Sequence, residues 1–109
     1  MAHINVILTD KVLHGVVFND AFEFIAAAGN VAHTVAVFIM PQALPMFALT
    51  TSIKPLPSKA LQSLVFYDVE DMYICSDIKD IQEYLPNIPK NIKFAALENA
   101  LKPGQKVYF

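Results

Sequence analysis

The sequence contains no tryptophan, no arginine, one cysteine and three glycines, and only 17% of its 109 residues are charged. Without arginine, all eight basic residues are lysines, and these are scattered rather than clustered. That excludes a nucleic-acid binder led by a basic face, which needs guanidinium forks or a lysine stripe. A single cysteine excludes an intramolecular disulfide framework and a cysteine-based zinc cluster. Gly15, Gly29 and Gly104 lie too far apart to form a G-x-G-x-x-G fingerprint or a P-loop. His3, His14 and His33 share no metal-ligand spacing, and neither a metal nor a cofactor is expected. The charge deficit is also lopsided: only Asp10, Lys11, Asp20 and Glu23 precede Lys54, and the other fourteen charges follow from there.

What is present is apolar. Hydrophobic residues make up 55% of the chain and the net charge is −2, so disorder is excluded. The length fits one domain over 1–109, able to bury roughly two-thirds of its unfolded surface. The most hydrophobic stretch, VAVFIMPQALPMFAL from Val35 to Leu49, falls short of the about 20 residues needed to span a bilayer and is broken by Pro41, Gln42 and Pro45. The first residues lack a basic segment followed by a long apolar one, so no signal peptide is read and a cytoplasmic location is expected.

Strand and helix signals alternate along the chain. His3 to Leu8 reads as a buried strand and Val17 to Ala28 as an amphipathic helix, with Gly29-Asn30 as its left-handed stop. His33 to Met40 is a continuous aliphatic and aromatic run suited to a parallel strand covered on both faces. Pro41 opens a short helix over Gln42 to Leu49. A Thr- and Pro-rich loop leads to Ser58, read as the N-cap of a helix over Lys59 to Phe66. Met72 to Cys75 is a third strand, Ser76 a cap for a helix over Asp77 to Tyr84, and Pro86 and Pro89 delimit a loop. Ile92 and Phe94 mark a brief strand, Ala95 to Leu101 a helix, and Lys106 to Phe109 the last strand. This alternation predicts a three-layer α/β/α fold around a parallel sheet. Phe38, Met40, Met46, Phe47 and Phe66 are read as core. Even so, eight Phe, four Tyr and four Met are more than a domain of this size hides, which predicts an apolar patch for subunit contacts.

Cys75 is the candidate catalytic residue. It lies at the carboxyl end of a strand, where open α/β sheets gather ligands and reactive groups. A helix N-terminus beyond it would favour the thiolate. Asp77 and Asp80 would oppose ionisation, and cysteine is among the most buried residue types. A reactive thiol and an inert core thiol both fit the spacing. His14, at the end of the first strand, is a candidate binding residue that the same sheet edge would bring toward Cys75. The competing reading is a solvated loop histidine.

The segment LVFYDVEDMYICSDIKDI resembles the TusC/DsrF-like subunits of the DsrE/DsrF/DsrH (TusBCD) sulfur-relay family, in which a Leu-x-x-Tyr-Asp-aliphatic-Glu run leads into a strand and a cysteine. HGVVFNDAFEFIAAAG is similar to the family's His-Gly loop and following helix, and TVAVFIM and KVYF to its second and last strands. The resemblance implies a DsrE/DsrF-like fold, a five-stranded parallel sheet between helices. It also implies a hetero-oligomer with TusB/DsrH-like and TusD/DsrE-like subunits, relaying persulfide sulfur for tRNA 2-thiouridine formation or sulfur oxidation. Cys75 matches the position of the family's relay cysteine, but Ser76-Asp77 replaces the small apolar residues that follow it there, and TusC-like subunits are not generally regarded as the essential carrier. The expectation is an auxiliary, structural subunit that touches neither nucleic acid nor membrane itself. The alternative is a stand-alone homo-oligomer with Cys75 as a persulfide carrier, or with an unrelated small-molecule role.

Overall fold

The computed structural model describes residues 2–31, 33–48 and 50–109, with the side chains of Ile78 and Asp80 excepted. Five strands, β1 (His3–Leu8), β2 (Thr34–Ile39), β3 (Asp71–Ile74), β4 (Lys93–Phe94) and β5 (Gln105–Tyr108), form one sheet in the order β4-β3-β2-β1-β5. Every pairing is parallel. The expected α/β architecture is therefore the one adopted, with helical segments on both sides of the sheet.

Side chains alternate across a strand, and the register sorts the sheet into two faces. Val6, Leu8, Val37, Ile39, Met72 and Ile74 are buried in the larger core. That core is covered by α1 (Gly15–Asn30), α2 (Pro57–Ser63), α3 (Ile78–Ile81) and the 3-10 segments Asp10–Leu13 and Pro41–Phe47. From α1 come Phe18, Ala21, Ile25 and Ala28, spaced at three and four residues so that they share one helical stripe. The opposite face holds a smaller cluster of Ile7, Ala36 and Phe38, against which Met40, Tyr73 and Cys75 pack. Its cover is α4 (Leu97–Ala100), a single turn with no buried residue.

Local end signals are where expectation and structure part. Gly29 is not a left-handed stop. It lies inside α1, where a Cβ would collide with the Tyr67 carbonyl oxygen and approach Val69 Cγ2 to 2.8 Å. Its smallness lets the helix touch the 3-10 segment Leu64–Tyr67, and α1 runs on to Asn30. Ser58 is not a cap either: Pro57 takes the first helical position of α2 and Leu56 stands at the N-cap. The helix expected through Phe66 tightens into Leu64–Tyr67 and stops at Asp68, whose φ of 64° is left-handed. The N-cap of α3 is Asp77 rather than Ser76, and after one turn the chain becomes the 3-10 segment Gln82–Asn87, which contains Pro86. The helix expected over Ala95 to Leu101 shrinks to α4. Leu49, at the end of the helix expected after Pro41, and the side chain of Ile78 lie outside the described residues.

Of the expected core aromatics and methionines, Phe38, Met46 and Phe47 are buried and Met40 half-buried. Phe66 is 85% exposed and belongs to the surface. Phe94 and Tyr108 are also exposed, at 50% and 61%. Among the described residues, no helix is long and apolar enough to cross a membrane.

Candidate functional site

β3 ends at Ile74, and Cys75 extends it by one residue, its N–H donating to the Ile39 carbonyl at 2.9 Å. Ile74 faces the larger core, so alternation turns Cys75 to the other side, with Tyr73 and Phe38. The rings of Phe38 and Tyr73 stack at 5.3 Å, and Lys93 Nζ lies 5.8 Å from the Tyr73 centroid while pairing with Asp71 at 3.6 Å. Leu97, Ala100 and Leu101 belong to the same cluster as Cys75.

The thiol is half-buried, and its pKa is raised, first by burial and then by the Glu98 carboxylate of α4. This corrects the expectation of a helix terminus stabilising a thiolate: α3 is only four residues long, too short for aligned peptide dipoles to sum to much. The opposing charge also comes from a different place. Glu98 acts on the thiol, whereas Asp77 is exposed at the N-cap of α3. The side chain of Asp80, the other acid expected there, lies outside the described residues. Since the thiolate is the nucleophile, burial and Glu98 both oppose the reactive form of Cys75.

His14 occupies the N-cap position of α1, exposed, its carbonyl accepting the Phe18 N–H at 3.1 Å and its N–H donating to the Lys11 carbonyl at 3.2 Å. β2 separates β1 from β3, so the ends of the two strands stand two strand spacings, about 10 Å, apart. Among the described residues no hydrogen bond joins His14 to Cys75. A hollow of about 530 Å³ is lined by Pro41, Gln42, Leu44, Pro45, Lys79, Glu83 and Tyr84, and neither His14 nor Cys75 lines it. Nor is any group of three or more His, Cys, Asp or Glu placed to hold a metal ion among the described residues.

Two residues at this face escaped the sequence reading. Asn5 is fully buried, with 0% exposure. Its Nδ2 donates to the carbonyls of Lys102 (2.9 Å) and Gln105 (3.4 Å), and its Oδ1 accepts from the Lys102 N–H (3.5 Å) and from His3 Nε2 (3.0 Å). Every hydrogen-bonding position of the carboxamide that points into the protein is thereby used. A lone amide inside the apolar run HINVIL was the available signal for it. Glu98 had none, since nothing in its own segment marks it as a neighbour of Cys75.

No protein-family model matches this sequence, and no curated protein matches it.

Proposed function

We propose that the chain is a TusC/DsrF-like subunit of a cytoplasmic sulfur-relay complex, serving assembly with TusB/DsrH-like and TusD/DsrE-like partners rather than carrying the sulfur. Support comes from the run between Leu64 and Ile81, from its placement on a five-stranded parallel sheet, and from the large apolar side chains left exposed, Phe66, Phe94 and Tyr108 among them. The observation that carries the reading is the place of Cys75: at the strand end that matches the family's relay cysteine, yet half-buried in one cluster with Leu97, Ala100 and Leu101, where burial and then Glu98 raise its pKa.

A carrier step would require the Cys75 thiolate to attack the outer sulfur of a donor persulfide. The donor's S–S bond breaks, its inner sulfur leaves as a thiolate, and a persulfide forms on Cys75. A thiol with a raised pKa supplies little of the attacking species near neutral pH. The second reading, a homo-oligomeric carrier, draws on the partial exposure of the same residue.

One experiment separates them. The purified chain, alone and with the candidate partners, is incubated with a cysteine desulfurase and cysteine, and Cys75 is examined by mass spectrometry for one added sulfur. Stable co-purification with the partners, no added mass on Cys75, and unimpaired transfer by a complex carrying Cys75→Ser are expected. Sulfur accumulating on Cys75 and absent from Cys75→Ser replaces the assembly reading with the carrier one. A chain that binds neither partner and stays monomeric at high concentration defeats the relay reading itself.

A further inference from the structure

The ten residues between Phe94 at the end of β4 and Gln105 at the start of β5 make an unusually lean crossover. They must pass from one edge of the sheet to the other, four strand spacings or about 19 Å, while also returning from the carboxyl to the amino end of the strands. Parallel strands are ordinarily joined by a dozen residues or more, enough for a substantial helix. Here one turn suffices, without a side-chain cap and without a fully buried side chain. Yet this segment is all that covers Cys75's face among the described residues.

We propose that residues 95–104 are a strap latched across the Cys75 face by the Asn5 carboxamide, and that release of the latch uncovers the thiol. At its first end the strap is tied by the Ala95 N–H to the Ile74 carbonyl, at 3.3 Å. At its other end it is tied to Asn5 through both backbone groups of Lys102 and the carbonyl of Gln105. Between these ties lie Leu97, Ala100 and Leu101, partly buried against the cluster of Ile7, Ala36 and Phe38 alongside the cysteine. A segment held by so few buried contacts opens at far lower cost than the sheet beneath it. Opening removes apolar cover and carries Glu98 away, so both causes that raise the thiol pKa weaken when the latch is released. The charged and titratable groups of the neighbouring elements lie outside the strap, Tyr73 and Asp71 on β3, Lys93 on β4, and Asp77 and Lys79 at α3, whereas Lys102 belongs to it with Glu98. Asn5 is thus a positioning residue, acting on Cys75 through the strap.

The latch goes beyond the relay reading and does not depend on it, because its test needs no sulfur donor. Cys75 is the sole cysteine, so alkylation of the intact protein by iodoacetamide reports on it directly. Asn5→Ala is expected to raise the alkylation rate at neutral pH by about tenfold or more, the scale set by losing buried hydrogen bonds, and to move the inflection of the pH–rate profile down. Glu98→Gln is expected to lower the inflection with little change in the limiting rate at high pH. In the unmodified protein, the Lys102 amide is expected to exchange its hydrogen, and Cys75 to alkylate, with the same shallow dependence on urea, while the Val37 amide responds steeply. A folded Asn5→Ala that reacts like the unmodified protein overturns the latch. If Asn5→Ala does not fold, the urea comparison decides: Cys75 following Val37, or reacting with no urea dependence, overturns it equally.

Discussion

Under α1 and α2 the sheet presents aliphatic side chains almost without interruption, Val6, Leu8, Val37, Ile39 and Ile74 among them. Its other face carries Asn5, Tyr73 and Cys75 beneath a crossover with one turn of helix, and Lys93 and Tyr108 exposed on its outer strands. The first face is a core in which shape and apolar area decide everything. The second holds the sulfur, the buried amide, a stacked aromatic pair and an ion pair, and its cover depends on hydrogen bonds at its two ends. Stability and chemistry are thus divided between the sides of a single sheet, and the thin side is the one that can open without unfolding the thick one.

The sharpest test of this division is to damage the thick side. Phe18 is buried among α1 and the strands, and Phe18→Ala is expected to cost about 3–5 kcal/mol, read from the urea midpoint. Asn5→Ala is expected to cost less, about 1–3 kcal/mol, because it strands polar groups of a segment that can turn them to water. Equal costs for the two substitutions would mean that the faces are one cooperative layer.

A smaller effect lies in pH dependence. The folded chain holds the Cys75 proton to a higher pH than the unfolded chain does. The corresponding stability is complete below the unfolded thiol pKa of about 8.5 and is lost as pH rises through the folded value. Urea midpoints are therefore expected to fall more steeply on the alkaline side for the unmodified protein than for Cys75→Ser. Parallel curves would contradict a thiol shifted by its surroundings. Smallest of all, Lys93→Met removes a surface pair with Asp71 and a cation over Tyr73, and the midpoint is expected to move by less than about 1 kcal/mol equivalent.

The thick side was also the legible one. β1 spans the residues that its aliphatic run indicates, and β2 falls short of its run by one residue at each end. Strand character is written locally wherever both faces of a strand are covered. Helix ends depart from expectation at Gly29, which answers to Tyr67 and Val69 distant in sequence, at Ser58, where Pro57 takes the first helical position, and at Ser76, where Asp77 is the N-cap instead. The thin side depends on such distances throughout. Asn5 meets a carbonyl 97 positions away, and Glu98 reaches the thiol from the crossover. Periodicity carries no trace of either. Cys75 could be placed at the strand end from sequence, but the sign of its pKa shift could not, since the helix expected to lower it is a single turn.

The strand order has a kinetic consequence. β1 comes first in the chain yet lies inside the sheet, with β5 as its outer neighbour and Ile4 paired to Gln105. Closing that pair joins residues about a hundred positions apart, the slow, non-local kind of contact that delays folding. Until it closes, β1 offers an unpaired backbone edge of the sort that invites association between partly folded chains. Pulse-labelled hydrogen exchange during refolding is expected to find the amides bridging β1 and β5 protected last, after those between β1 and β2.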